Sequence, residues 1–259
     1  MNIIYEDVAR ALDAAEHTCS PIAPLSEQYP GLTTEQAYAI QSAWFTVKRS
    51  QGSQLIGRKI GLTSRAMQVS LGIDQPDYGF LLDTMFVSPG ESIARQTLLL
   101  PRLEPEIAFW LAHDLRGPAV TIDDVLAATS GVSPALELVD SRVVDWRIKL
   151  VDTIADNASS SRVITSKHII PIQGHDLAAE EVVFFRDDQE VGRGNGAAVL
   201  GHPAAAVAWL ANKLAEFDTP LLAGQFVLPG AMCAAIPVAA NQTFRASFTT
   251  LGDISINFT

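Results

Sequence analysis

Leu100-Pro101-Arg102-Leu103-Glu104-Pro105-Glu106-Ile107-Ala108-Phe109 sets two carboxylates two residues apart at the entrance to an apolar run. Ile107 to Leu111 has the apolar density of a strand, and Pro105 pushes Glu104 toward an extended backbone. On a strand, residues i and i+2 point to one side, so Glu104 and Glu106 are expected side by side. Adjacent carboxylates repel, and the pair needs a shared proton or a cation. Pro105 has no N–H to give to a ladder, which predicts an edge, a strand start or a bulge at this point.

A third carboxylate stands inside the next apolar run, Ser133-Pro134-Ala135-Leu136-Glu137-Leu138-Val139-Asp140. If that run is a core strand, Glu137 is buried, and a buried charge must be paired or bind a metal. Three oxygen donors with no Cys or His nearby suit a hard cation, Mg²⁺ or Mn²⁺. An ion pair from Glu137 to Arg102 or Arg142 satisfies the same requirement, and spacing alone leaves both open.

Outward from these two runs, short apolar segments recur at Met85–Val87, Val163–Thr165, Val182–Phe185, Phe226–Leu228, Phe244–Thr249 and Ile254–Phe258, separated by turn chemistry. Leu55-Ile56-Gly57-Arg58-Lys59-Ile60-Gly61 is a further β-like piece. Thr63 to Leu71 reads as a short helix, with Met67 and Leu71 at i, i+4, and Asp74-Gln75-Pro76-Asp77 as a turn or loop. Residues 1–50 read as helical. Val8 and Leu12 share one face, and Thr33 with Gln36 forms a capping box. Ala37, Ile40, Gln41, Trp44 and Val47 then make a stripe that ends near Gly52. Two more helices are expected, Thr121–Ala128 and Pro203–Phe217. The pattern is α+β: a helical part over residues 1–53 and a β-rich catalytic domain over 54–259.

The formal net charge of −11 disfavours a nucleic-acid partner, which wants a basic face, but not an anionic small molecule that meets a bound cation. No apolar run approaches the roughly 20 residues that span a bilayer, and Met1 to Arg10 carries Glu6 and Asp7 without a secretory apolar core. Cys19 and Cys233 form neither a disulfide framework nor a thiolate zinc motif, and a reducing cytoplasm fits them. The five histidines show no metal-binding spacing, and His202 reads as a helix-cap neighbour. Gly192-Arg193-Gly194-Asn195-Gly196 imitates a dinucleotide loop, but it follows a hairpin around Asp187-Asp188 rather than opening a helix, and it reads as a glycine turn.

Taken in order, the motifs resemble a known family. They run Gly57-Arg58-Lys59-Ile60-Gly61-Leu62-Thr63-Ser64, Gly72-Ile73-Asp74-Gln75-Pro76-Asp77-Tyr78-Gly79, Pro101 to Ala108, Pro134 to Arg142, Asp152-Thr153-Ile154-Ala155-Asp156-Asn157-Ala158-Ser159, Leu200 to Pro203 and Ala208 to Asn212. The series is similar to the 2-keto-4-pentenoate hydratase and 4-oxalocrotonate decarboxylase family of the fumarylacetoacetate hydrolase superfamily, over nearly the whole chain. The resemblance implies a mixed β-sheet roll with peripheral helices and Mg²⁺ or Mn²⁺ as cofactor. It implies Glu104, Glu106 and Glu137 as metal ligands, Lys59 as catalytic lysine and Asp77 as its partner acid. It puts Leu62, Thr63 and Ser159 against the substrate. Pro105 departs from the family pattern, where a small or helix-friendly residue is common.

The activity implied is hydration of 2-hydroxypenta-2,4-dienoate, or a close homologue, to a 4-hydroxy-2-oxo acid in aromatic meta-cleavage catabolism. A small 2-oxo or 2-hydroxy-dienoic acid is then the ligand, and the enzyme is a cytoplasmic homo-oligomer, alone or beside a pathway decarboxylase or aldolase. The competing reading is decarboxylation of 4-oxalocrotonate. A third is a non-catalytic metal-binding partner, which requires Lys59 to point away from the three glutamates.

Overall fold

The computed structural model describes residues 3–64, 68–69, 73, 75–166 and 168–259. Helices α1 (Tyr5–Thr18), α2 (Leu25–Gln28) and α3 (Thr34–Ser50) come first. The expected capping box opens α3: the Gln36 N–H donates to Thr33 Oγ1, and the Thr33 N–H donates back to Gln36 Oε1. Ala37, Ile40, Gln41 and Trp44 are buried along one face of α3, with Val47 half-buried, and α1 packs against it through Val8 and Leu12. No helix among the described residues is long and apolar enough to cross a membrane.

The strands follow as β1 (Leu55–Gly61), β2 (Asp77–Leu82), β3 (Phe86–Val87), β4 (Ser92–Ile93), β5 (Arg102–Leu111), β6 (Thr129–Val139), β7 (Ser160–Thr165), β8 (Glu181–Arg186) and β9 (Gln189–Asn195). After these come β10 (Phe226–Leu228), β11 (Ile236–Pro237), β12 (Gln242–Phe248) and β13 (Gly252–Phe258). One mixed sheet has the order β2-β1-β10-β5-β6-β7-β3, with β11 also on β5; the other runs β4-β13-β12-β8-β9. β12 and β13 pack against β6, and Phe184, Phe244 and Phe258 fill the second sheet's inner face. Helices α4 (Ile122–Ala128), α5 (Leu150–Ala155) and α6 (Pro203–Leu214) lie outside, α5 against α3 and α6 against β1 and α4. Thr121 caps α4, and His202 Nδ1 caps α6 by accepting the Ala204 N–H.

Several local expectations need correction. Pro105 is neither at a strand start nor at a bulge. It sits inside β5, an interior strand, opposite Leu136 of β6. It is tolerated because, among the described residues, β5's other side is paired only at its two ends, by β11 at Arg102 and Leu103 and by β10 at Phe109 and Trp110. In the gap between them the Pro105 carbonyl accepts the Met232 N–H. The bulge lies farther on, between Trp110 and Leu111. Asp77 is not in a turn but opens β2, a strand buried along its whole length. Gly192–Asn195 belongs to β9: Asp187 and Asp188 both have positive φ and fold the chain back in two residues, so the glycines pair with β8. The expected Thr63–Leu71 helix, with Met67 and Leu71, falls largely outside the described residues, as does Asp74.

Candidate active site

β5 and β6 run antiparallel with Glu104 directly opposite Glu137. Strand alternation brings Glu106 to the same face as Glu104. One carboxylate oxygen from each of the three lies within 4.8 Å of the other two. Glu106 and Glu137 are fully buried, and Glu104 is partly so. Glu106 Oε2 accepts the Gly230 N–H at 2.8 Å, and Glu137 Oε1 accepts from the Ser160 hydroxyl at 2.7 Å. Glu106 Oε1 is buried without a hydrogen-bond donor among the described residues. Glu137 Oε2 lies 3.1 Å from Lys59 Nζ, an ion pair without hydrogen-bond geometry. Neither Arg102 nor Arg142 is the partner of Glu137. Arg102 stacks on Trp146, and Arg142 pairs with Asp156 at 2.6 Å.

Lys59 reaches the cluster from β1, next to β2, whose Asp77 is in register with Gly61. Gly61 is obligatory for this approach. A Cβ there would stand 2.3 Å from Asp77 Oδ1 and 3.3 Å from Lys59 Nζ. Lys59 Nζ also donates to the Ala158 carbonyl at 3.2 Å, and the Thr153 hydroxyl donates to Asp77 Oδ2 at 3.0 Å; Asp77 Oδ1 has no side-chain donor among the described residues.

Burial raises the Glu104 carboxyl to about 7, reinforced by the neighbouring Glu137, and raises Glu106 well above the ordinary carboxylate range for the same reasons. Asp77 is also raised by burial, against the opposing pull of Lys59 and the Thr153 hydrogen bond. Burial works to discharge Lys59, but Glu137, Asp77, Glu104 and Glu106 together outweigh it and raise its pKa. Even so, the acids outnumber the amine, and two glutamate oxygens lack hydrogen bonds among the described residues. This all-oxygen donor set fits a hard divalent cation. A second acidic group, Asp13 with Glu16 and His17, is different: Lys48 already sits on it, 2.9 Å from Asp13.

The segment after α5 closes the site. Asn157, Ala158 and Ser159 all have positive φ. The conformation is held by Asp156, which accepts from Arg142, Ser141 and Ser159, and by Asn157, whose amide exchanges two hydrogen bonds with the Phe80 backbone. The Ser159 hydroxyl is thus turned toward Asp156, and the hydroxyl on the glutamates is that of Ser160. Leu62 has a positive φ of 59° and its carbonyl accepts from Gln68. Thr63 is buried against Gly230, where a Cβ would lie 2.1 Å from Thr63 Oγ1. The structure brings Lys59, Asp77, Glu104, Glu106 and Glu137 together and sets Thr63 beside the glycine that donates to Glu106.

Thr153, Ser160, Gly230 and the Arg142–Asp156 pair escaped the sequence reading of the site. The polar run Asp156 to Ser161 ahead of an apolar strand signals a buried polar network, but it names no partners.

Residues 37–258 match the family model described as fumarylacetoacetate (FAA) hydrolase C-terminal. A 2-hydroxyhexa-2,4-dienoate hydratase of Comamonas testosteroni is 42% identical over 98% of this chain and 97% of its own length. A 2-oxo-hept-4-ene-1,7-dioate hydratase of Escherichia coli is 43% identical over 97% and 96%. Among solved structures, a 4-oxalocrotonate decarboxylase from Pseudomonas putida G7, complexed with magnesium and adipate, superimposes with a TM-score of 0.96 at 35% identity, over 98% of this chain and 97% of that one. The likeness runs from the first helix to the last strand, and the chain belongs to the fumarylacetoacetate hydrolase family.

Proposed function

We propose that this chain is a divalent-metal-dependent hydro-lyase that adds water to 2-hydroxypenta-2,4-dienoate or a close homologue in aromatic meta-cleavage catabolism. The observation that carries the reading is the convergence of three glutamates from two strands with one buried amine, Lys59. Hydratases of this substrate type are the relatives of highest identity named above. Glu104, Glu106 and Glu137 would hold Mg²⁺ or Mn²⁺; when bound, the ion offsets the acid surplus and stabilises negative charge on the 2-oxygen of a chelating 2-oxo acid.

Lys59 delivers a proton to C5 and takes up the proton that the 2-hydroxyl gives up, giving the α,β-unsaturated 2-oxo acid. Water then adds at C4, its second proton leaves, and C3 takes up a proton, which yields the 4-hydroxy-2-oxo acid. Asp77 Oδ1, buried and without a side-chain donor among the described residues, is an acceptor beside Lys59 for orienting the amine or a water. Leu62, Thr63 and Ser159 belong to the substrate's surroundings in this reading. The reading also includes a homo-oligomer in a reducing cytoplasm, beside a pathway decarboxylase or aldolase, with Cys19 and Cys233 as free thiols.

Decarboxylation of 4-oxalocrotonate is the second reading, supported by the 0.96 superposition on a decarboxylase. With Mg²⁺ present, dienoate absorbance is expected to fall without CO₂ release. Release of CO₂ from 2-oxohex-3-enedioate, with no turnover of dienoates, would favour the decarboxylase.

A further inference from the structure

Among the described residues, Ser160 gives the glutamate cluster its only side-chain hydroxyl. It opens β7 opposite Val139 of β6 and is 2% exposed. Its Oγ donates to Glu137 Oε1 at 2.7 Å, while Glu137 Oε2 faces Lys59 at 3.1 Å. The terminal torsion of a glutamate is broad, so a single donor on one oxygen sets the plane of the carboxylate. Ser160 is itself fixed: its carbonyl accepts from Arg142, which is anchored on Asp156. Ser159 cannot substitute, because its hydroxyl is committed to Asp156.

We propose that Ser160 is a positioning residue that orients Glu137, presenting its Oε2 to the divalent ion and to Lys59. This rests on the metal reading above. Hydrogen-bond partners of metal-ligating side chains are worth about 10–100-fold in metal affinity. Ser160 also borders a cavity of about 660 Å³ lined by Trp44, Lys48, Phe80, Asn157 and Arg162.

The test is a Mn²⁺ titration, followed by the electron paramagnetic resonance of the free ion, on the wild type and on Ser160→Ala, Ser160→Cys and Ser160→Thr, with thermal melts of each. Loss of the hydroxyl in Ser160→Ala is expected to weaken Mn²⁺ binding by about tenfold or more. Ser160→Cys, close in shape but a weak donor, should behave in the same way and decides the matter if Ser160→Ala does not fold. Ser160→Thr, which keeps the hydroxyl, should restore binding to within about twofold of wild type. Wild-type affinity in Ser160→Cys or in folded Ser160→Ala overturns the inference alone, as does a Ser160→Thr chain as weak as Ser160→Ala. A wild-type chain that holds no Mn²⁺ overturns the metal reading, and this inference with it.

Discussion

Lys59 Nζ sits between the Glu137 carboxylate and the Ala158 carbonyl and is buried. In the proposed reaction, proton transfer by Lys59 and its balancing of the glutamates are separable. Lys59→Met keeps the bulk of the stem and removes the proton. Turnover of a dienoate, followed by absorbance, is expected to fall by about 10²–10⁴-fold, while Mn²⁺ binding survives because the ion itself balances the acids. Near-native turnover in that variant would remove Lys59 from the chemistry. In the same proposal the glutamates titrate against the ion. In the metal-free chain Glu104 is raised to about 7, so the folded state holds a proton that the unfolded state has lost. The stability from that proton is present below the ordinary carboxylate range and is lost as pH rises through about 7. A bound cation requires the deprotonated form, so its hold strengthens over the same window. The gap in melting temperature between Mn²⁺-loaded and chelator-treated protein is therefore expected to widen from pH 5.5 to pH 8. A gap that narrows would show that the glutamates do not titrate against the ion.

At the level of elements, the site depends on two strand pairs held in register. β5 with β6 places Glu104 opposite Glu137, and β1 with β2 places Gly61 opposite Asp77. A one-residue slip in either pair would turn every side chain to the wrong face. The second pair has a sharper constraint, because Asp77 Oδ1 occupies the volume where a side chain at position 61 would begin. Gly61→Ala is expected to melt as a cooperative fold and to lose about a hundredfold in turnover, since displacements of an ångström at a reacting group cost that much. Circular dichroism and a turnover assay on the same sample check this, and wild-type turnover would count against the close approach. Pro105 shows the opposite tolerance. It spoils no ladder, because the side of β5 it leaves without a donor has no strand partner among the described residues between Leu103 and Phe109.

At the level of the whole molecule, the helical beginning of the chain is tied to the site. Trp44 of α3 lies over the Arg142 guanidinium, Arg142 holds Asp156, and Asp156 shapes the segment that carries Ala158 and Ser160 to Lys59 and Glu137. The sequence by itself determined the α+β class, the helix starts at Thr33 and Thr121, most of the strands, and the side-by-side placing of Glu104 and Glu106. These rest on periodicity, capping chemistry and strand alternation, all of which act over a few residues. It also carried the family likeness through the order of its motifs. Only the tertiary structure decided that Glu137 faces Lys59 rather than an arginine, that Asp77 opens a buried strand, and that Ser160, Gly230 and Thr153 hold the acids in place. Those pairings join residues 23 to 124 positions apart. Such contacts arise from how sheets stack and loops close, and a donor or acceptor in a sequence carries no mark of which distant partner will reach it.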